Sequence, residues 1–134
     1  MTIERTLIES QTEWESAVGY SRAVRVGPHV YVSGTTATDE SGQVIGVGDP
    51  YDQTKNALEI AVDAIERAGA TVDDVVRTRM YVTDIDDWAA VGSAHRECFG
   101  NVRPAATMVQ VDRLIDPDHL VEVEVEAYVP DPSA

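Results

Sequence analysis

Only two stretches of this chain carry apolar residues at helical spacing, and strand-like segments flank both; that alternation limits the possible folds more than any other feature. Leu58, Ala61, Val62, Ile65 and Ala68 fall along one helical face. Asp49-Pro50 opens that helix with a capping carboxylate and a proline at the first helical position, and Gly69 ends it. A second helix is expected over residues 86–99, with Trp88, Val91, His95 or Cys98, and Phe99 near one side. Arg103-Pro104 breaks it.

Strands fill the remainder. Residues 30–36 are β-branched and lead through the polar turn Asp39-Glu40-Ser41-Gly42 to residues 44–47, which reads as an antiparallel hairpin. Val76, Thr78, Met80 and Val82 alternate with Arg77, Arg79 and Tyr81, one face apolar and the other polar. Residues 107–111 form a further strand. In residues 120–129, Val121, Val123, Val125, Ala127 and Val129 point one way and Glu122, Glu124, Glu126 and Tyr128 the other. The order is ββαβαββ, give or take a strand. Two helices of this length cover one face of a sheet, so the expected fold class is α+β, a mixed sheet with both helices on one side. The other face mixes carboxylates and arginines with Tyr81 and Tyr128, which suits burial against neighbouring subunits.

A chain of 134 residues can bury a core without disulfides or a structural metal, and no repeat or composition break divides it, so one domain over 1–134 is expected. Residues 130–134 read as a flexible tail. Residues 1–15 carry charges and no apolar block, unlike a secretory signal, and no run is apolar enough to span a bilayer, so no membrane association is expected. Cys98 has neither a disulfide partner nor a Cys or His at metal-ligand spacing, which suits a reducing, cytoplasmic interior.

Acidic residues outnumber basic ones 24 to 10, for a formal net charge of −14, and nine of the ten cations are arginine, with Lys55 the exception. Such a surface repels nucleic acid phosphates, so no nucleic acid partner is expected. A carboxylate-dense, lysine-poor surface also stays hydrated where self-repulsion is screened by concentrated salt, which points to a halophilic origin.

Specific motifs add to this pattern. Gly19-Tyr20, Gly27, Val32-Ser33-Gly34-Thr35, Gln53, Ala68-Gly69, Asp74-Val75-Val76-Arg77-Thr78 and Tyr81-Val82-Thr83-Asp84 occur in order. Arg103-Pro104-Ala105, Val109-Gln110-Val111, Arg113-Leu114 and Leu120-Val121-Glu122-Val123-Glu124 follow. Together they resemble the Rid (YjgF-type) family of reactive intermediate deaminases from about residue 20 to 129. The resemblance implies a chorismate-mutase-like fold, a homotrimer whose sheets form a central barrel, and one small-molecule cleft at each subunit interface. It implies hydrolysis of 2-imino or enamine acids to 2-oxo acids and ammonia with neither metal nor cofactor. Such chemistry needs a cation for the substrate carboxylate, a group that positions water, and an apolar wall.

Carried onto this chain, the resemblance makes Tyr20 the pocket tyrosine, Ser33 and Gly34 a lining segment, and Glu122 the acid that orients water. The loop 115–119 is about one residue longer than is usual, so Glu124, on the same strand face, is an alternative. The departures are informative. Where active members place an arginine after proline-alanine, this chain has Ala106, beside Thr107; the usual cysteine position is Met108, and a position often asparagine is Gly92. A methyl group does not grip a carboxylate, and loss of one charge-assisted contact weakens binding by about one to two powers of ten. Arg22, Arg25 and Arg103 are the cations left to replace it.

Simpler readings compete at several positions. Tyr20 can be an interface aromatic, Ser33 and Thr107 strand hydroxyls bonded to backbone, and His95 a half-buried structural residue. His29 and His119 lie in turns without an evident partner set. Glu122, Glu124 and Glu126 are expected to pair across strands with Arg77 and Arg79 rather than to hold a metal. Three functions remain open: an imine or related hydrolase, a noncatalytic small-molecule sensor or stabilising partner, and, disfavoured by charge, a nuclease.

Overall fold

The computed structural model describes residues 4–10 and 12–130, so residues 131–134 of the expected tail lie outside the described residues. In chain order the elements are β1 (Arg5–Ile8), α1 (Glu13–Val18), β2 (Ala23–Val26), β3 (His29–Thr35), α2 (Pro50–Arg67), β4 (Val75–Val82), α3 (Trp88–Phe99), β5 (Ala105–Gln110) and β6 (Val121–Tyr128). The strands form one sheet in the order β1-β2-β3-β6-β4-β5. Every pairing is antiparallel except β4 with β5, which α3 connects as a crossover. The mixed α+β architecture is the one anticipated.

Both long helices cover the same face. Leu58, Ala61, Ile65, Val91 and Phe99 bury against Val30, Val32, Val121, Val123 and Val125. Each large side chain taken out of water here contributes about 1.5–3 kcal/mol before conformational entropy is set against it. The Asp49 carboxylate caps α2 by accepting from Asp52 N at 3.1 Å. No helix among the described residues is long and apolar enough to cross a membrane.

Four expectations need correction. Residues 44–47 form no strand: only a single bridge joins Thr38 to Val44, because Gly42, Gly46 and Gly48 adopt positive φ and turn the chain. The real hairpin joins β2 to β3 across Gly27-Pro28, and β1 and α1 precede it. Val76 is exposed and Val75 buried, since a bulge between Val75 and Arg77 shifts the pattern by one residue. Trp88, placed on the apolar side of the second helix, is exposed because it stands at the first helical position, after a 3-10 turn over Ile85–Asp87.

The uncovered sheet face is mixed, as expected. Register sets Arg77 opposite Glu126, Arg79 opposite Glu124 and Tyr81 opposite Glu122. Arg79 reaches Glu126 at 3.6 Å, and the Tyr81 hydroxyl donates to Glu124. Arg77 instead donates through Nη2 to Thr107 Oγ1 at 3.1 Å. Leu7, Tyr31, Val109 and Tyr128 are left exposed; in-register alternation puts all four on this face.

Candidate functional site

The turn that carries Tyr20 is built by Glu15. Its backbone carbonyl accepts from Gly19 N at 2.8 Å and Tyr20 N at 2.9 Å, while its carboxylate takes Ser10 N at 3.0 Å. Gly19, at φ 93°, occupies the left-handed conformation that ends α1 and turns the chain toward Tyr20. Two residues on, the Arg22 guanidinium carbon lies 5.8 Å from the centre of the Tyr20 ring. Arg22 is only 8% exposed, and its Nη2 donates to Gly34 O at 2.5 Å. Its Nε is buried, with no partner among the described residues.

Ser33 joins the same corner. Its N–H donates to Arg22 O at 3.0 Å and its hydroxyl to Ser21 O at 2.6 Å, so the simpler reading of Ser33 as a backbone-bonded strand hydroxyl describes it. The β3–β6 register shifts between Val32 and Thr35, and Gly34 falls in that irregularity against Glu122. A Cβ on Gly34 would stand 2.7 Å from Glu122 Oε2, so a larger residue there would push the carboxylate out of this position. Glu124 is instead engaged by Tyr81. Burial first, and the Glu124 charge second, push the Glu122 carboxyl above its ordinary range, with Arg22 opposing.

That shift has a measurable consequence. A carboxyl raised in the folded state favours folding while it is protonated, and this contribution fades as pH rises through the folded value. Glu122→Gln, a neutral mimic, is therefore expected to raise the unfolding midpoint near pH 7 and to leave it unchanged near pH 4. Equal effects at both pH values would show that Glu122 is not desolvated as described.

Ala106, Thr107 and Met108 sit elsewhere, on the edge strand β5. Register pairs Ala106 with Thr78 and Met108 with Met80, which places both on the helix-covered side, whereas Thr107 faces the open side toward Arg77. Thr78 Oγ1 and His95 Nε2 are 2.8 Å apart, and the His95 ring packs 4.9 Å from Phe99. Burial lowers the His95 pKa and so favours the neutral ring. His95, Phe99 and Pro104 line an open groove of about 480 Å³ along this edge, with Arg96 and Arg103 at its rim. Among the described residues, none comes within 4 Å of the position a Gly92 Cβ would take.

Within one chain these two groups do not meet. Ala106 lies two strands and three residues from Glu122, about 14 Å away and on the opposite side of the sheet. Sequence reasoning also left His119 without a partner; it is buried, with Nε2 3.0 Å from Thr38 Oγ1, and burial lowers its pKa. A separate groove of about 420 Å³ between α2 and α3 has an acidic rim, and burial pushes the Cys98 thiol in it up. Among the described residues no cluster of three metal-ligating side chains occurs.

The sequence matches a family model described as endoribonuclease L-PSP over residues 10–129. It is 46% identical over 121 residues to an uncharacterized protein of Streptomyces coelicolor, covering 90% of each chain. A Mycobacterium tuberculosis structure, described as a member of the YjgF/YER057c/UK114 family, shares 51% identity and a TM-score of 0.86, covering 94% of this chain and 100% of that one. At 25% identity and a TM-score of 0.81, the Escherichia coli protein TdcF, solved with bound serine, covers 93% of this chain and 99% of its own.

Proposed function

This chain belongs to the endoribonuclease L-PSP (YjgF/Rid) family, and from that membership we propose that it is a single-domain cytoplasmic homotrimer binding a small carbonyl- or imine-derived acid in clefts between neighbouring chains. The observation that carries this reading is the corner around Glu122: a desolvated carboxyl seated against Gly34, beside a buried guanidinium that lies over Tyr20. The half-site at Ala106 lies on a sheet edge with no strand beyond it among the described residues, so a neighbouring chain completes the cleft. Serine in the TdcF structure supports a ligand of amino-acid size.

The chemistry such a cleft supports is hydrolysis of a 2-imino or enamine acid. On the imine tautomer, Glu122 as carboxylate takes a proton from water while the oxygen adds to the C=N carbon and passes it to nitrogen; it then takes the proton of the new hydroxyl and delivers it to the same nitrogen as the C–N bond breaks, the C=O forms and ammonia leaves. The product is a 2-oxo acid. Ala106 favours a second reading, a noncatalytic sensor or stabilising partner on the same assembly. Both require the assembly. Light scattering at micromolar concentration is expected to report three copies of the 14.6 kDa chain, and thermal-shift screening is expected to show stabilisation by 2-oxo or amino acids. A monomer, or no stabilising acid, would remove this reading.

The family description names an RNA-cleaving activity, but a net charge of −14 opposes nucleic acid binding, and no RNA cleavage is expected in dilute or molar salt. The same charge supports the halophilic reading. Among the described residues only Arg67–Asp63 and Arg79–Glu126 come within ion-pair distance, so most carboxylates repel one another uncompensated. The unfolding midpoint is expected to rise from dilute to molar KCl, and a midpoint that stays flat excludes salt adaptation.

A further inference from the structure

We infer that Arg22 is the carboxylate-binding group of this cleft, gripping the acid from the β2 side of the sheet in place of the guanidinium that position 106 does not supply. The inference rests on the cleft proposed above and names the group that selects its ligand.

Three arginines compete for the role, and geometry separates them. Arg25 is committed to the helix-covered side, donating through Nη1 to Ala68 O at 2.7 Å and through Nε to Gly27 O at 3.0 Å. Arg103 is exposed at positive φ at the rim of the edge groove, where water already serves its donors. Arg22 alone stands at the Glu122 corner, where its charge acts on that carboxyl without closing an ion pair.

The state of Arg22 is that of a group with donors to spare. It is 8% exposed, only Nη2 has an acceptor among the described residues, and Nε is buried and unpaired among them, an arrangement that costs free energy until an acceptor arrives. Tyr20 beneath it and the Gly34 carbonyl beside it fix the plane of the fork, so little rotamer freedom remains to be lost on binding. A small acid whose carboxylate takes these donors carries its adjacent carbon toward Glu122, since Gly34 touches both residues. The ligand class is thus a short monocarboxylate with an adjacent carbonyl or imine, and its ester or amide is rejected.

The test is calorimetric titration of the assembled wild-type protein with pyruvate, 2-oxobutanoate and their methyl esters, repeated with Arg22→Met and Arg22→Lys. The wild type is expected to bind the acids and not the esters. Arg22→Met is expected to lose at least tenfold in affinity for the acids, and Arg22→Lys, a point charge without the fork, to lose about fivefold while still rejecting esters. Wild-type affinity for the acids in either variant overturns the assignment of Arg22 while leaving the cleft intact. Wild-type protein that binds neither acid nor ester overturns the cleft itself. Should Arg22→Met not fold, judged by circular dichroism, the Arg22→Lys comparison decides alone.

Discussion

Ala106→Arg is expected to speed release of 2-oxo acid from 2-imino acids by about 10- to 100-fold over the wild-type chain, the rate equivalent of about 1.5–3 kcal/mol for a charge-assisted contact. The site accepts the change. Ala106 is exposed on the edge strand β5, so the longer side chain enters without displacing the core. Arg96 and Arg103 rim the groove beside it, but burial keeps His95 neutral, so one cationic neighbour fewer opposes the new guanidinium. The imine is generated in place by an amino-acid oxidase, and 2-oxo acid is followed with and without protein. Ala106→Lys is expected to gain less, because an ammonium lacks the planar fork, and Ala106→Met to gain nothing. An Ala106→Arg protein no faster than Ala106→Met would show either that position 106 does not face the reacting acid or that Arg22 already holds its carboxylate.

The contrast between the two half-sites reflects what a linear pattern encodes. Helix α2 was legible from Asp49-Pro50 and the apolar run to Ala68 because cap and periodicity agree at both ends. Strand β6 was legible because strict alternation fixes one face, and with it the cross-strand meeting of Arg79 and Glu126. The N-terminal third was not. β1 and α1 are short, polar elements stabilised by the Glu15 contacts with Ser10, Gly19 and Tyr20, and no apolar periodicity marks them. Residues 44–47 mimicked a strand by composition, while the positive-φ glycines around them decided the path.

At the site, the resemblance brought out Tyr20, Ser33, Gly34 and Glu122; Arg22 lies over Tyr20 and bonds Gly34, which sits against Glu122. The resemblance left Glu122 and Glu124 as alternatives; at the β3–β6 irregularity Glu122 lies against Gly34, while Glu124 is engaged by Tyr81. Arg22 was visible as one of three cations left to replace the missing guanidinium. What singles it out over Arg25 and Arg103 is a long-range contact to Gly34 that no local pattern contains.

Gln53→Ala is expected to cost about 2–4 kcal/mol and to lower the unfolding midpoint by about 10 °C. Gln53 is fully buried on α2, yet its amide reaches outside the helix. Nε2 donates to Asp118 O at 2.8 Å and Gly46 O at 3.3 Å, and Oε1 accepts from Leu120 N at 2.8 Å. One side chain thus ties the turn before α2 to the loop that leads into β6, immediately ahead of Glu122. Truncation leaves these backbone groups unpaired and opens a cavity beneath them. Gln53→Glu separates the two effects, because it keeps the volume and the acceptor for Leu120 but sets a carboxylate against two carbonyls. Its loss is expected to match or exceed that of Gln53→Ala at pH 7 and to shrink as pH falls and the carboxyl regains a donor proton. If Gln53→Glu were instead as stable as the wild type at pH 7, packing alone would hold the loop, and the amide bonds would carry none of the anchoring.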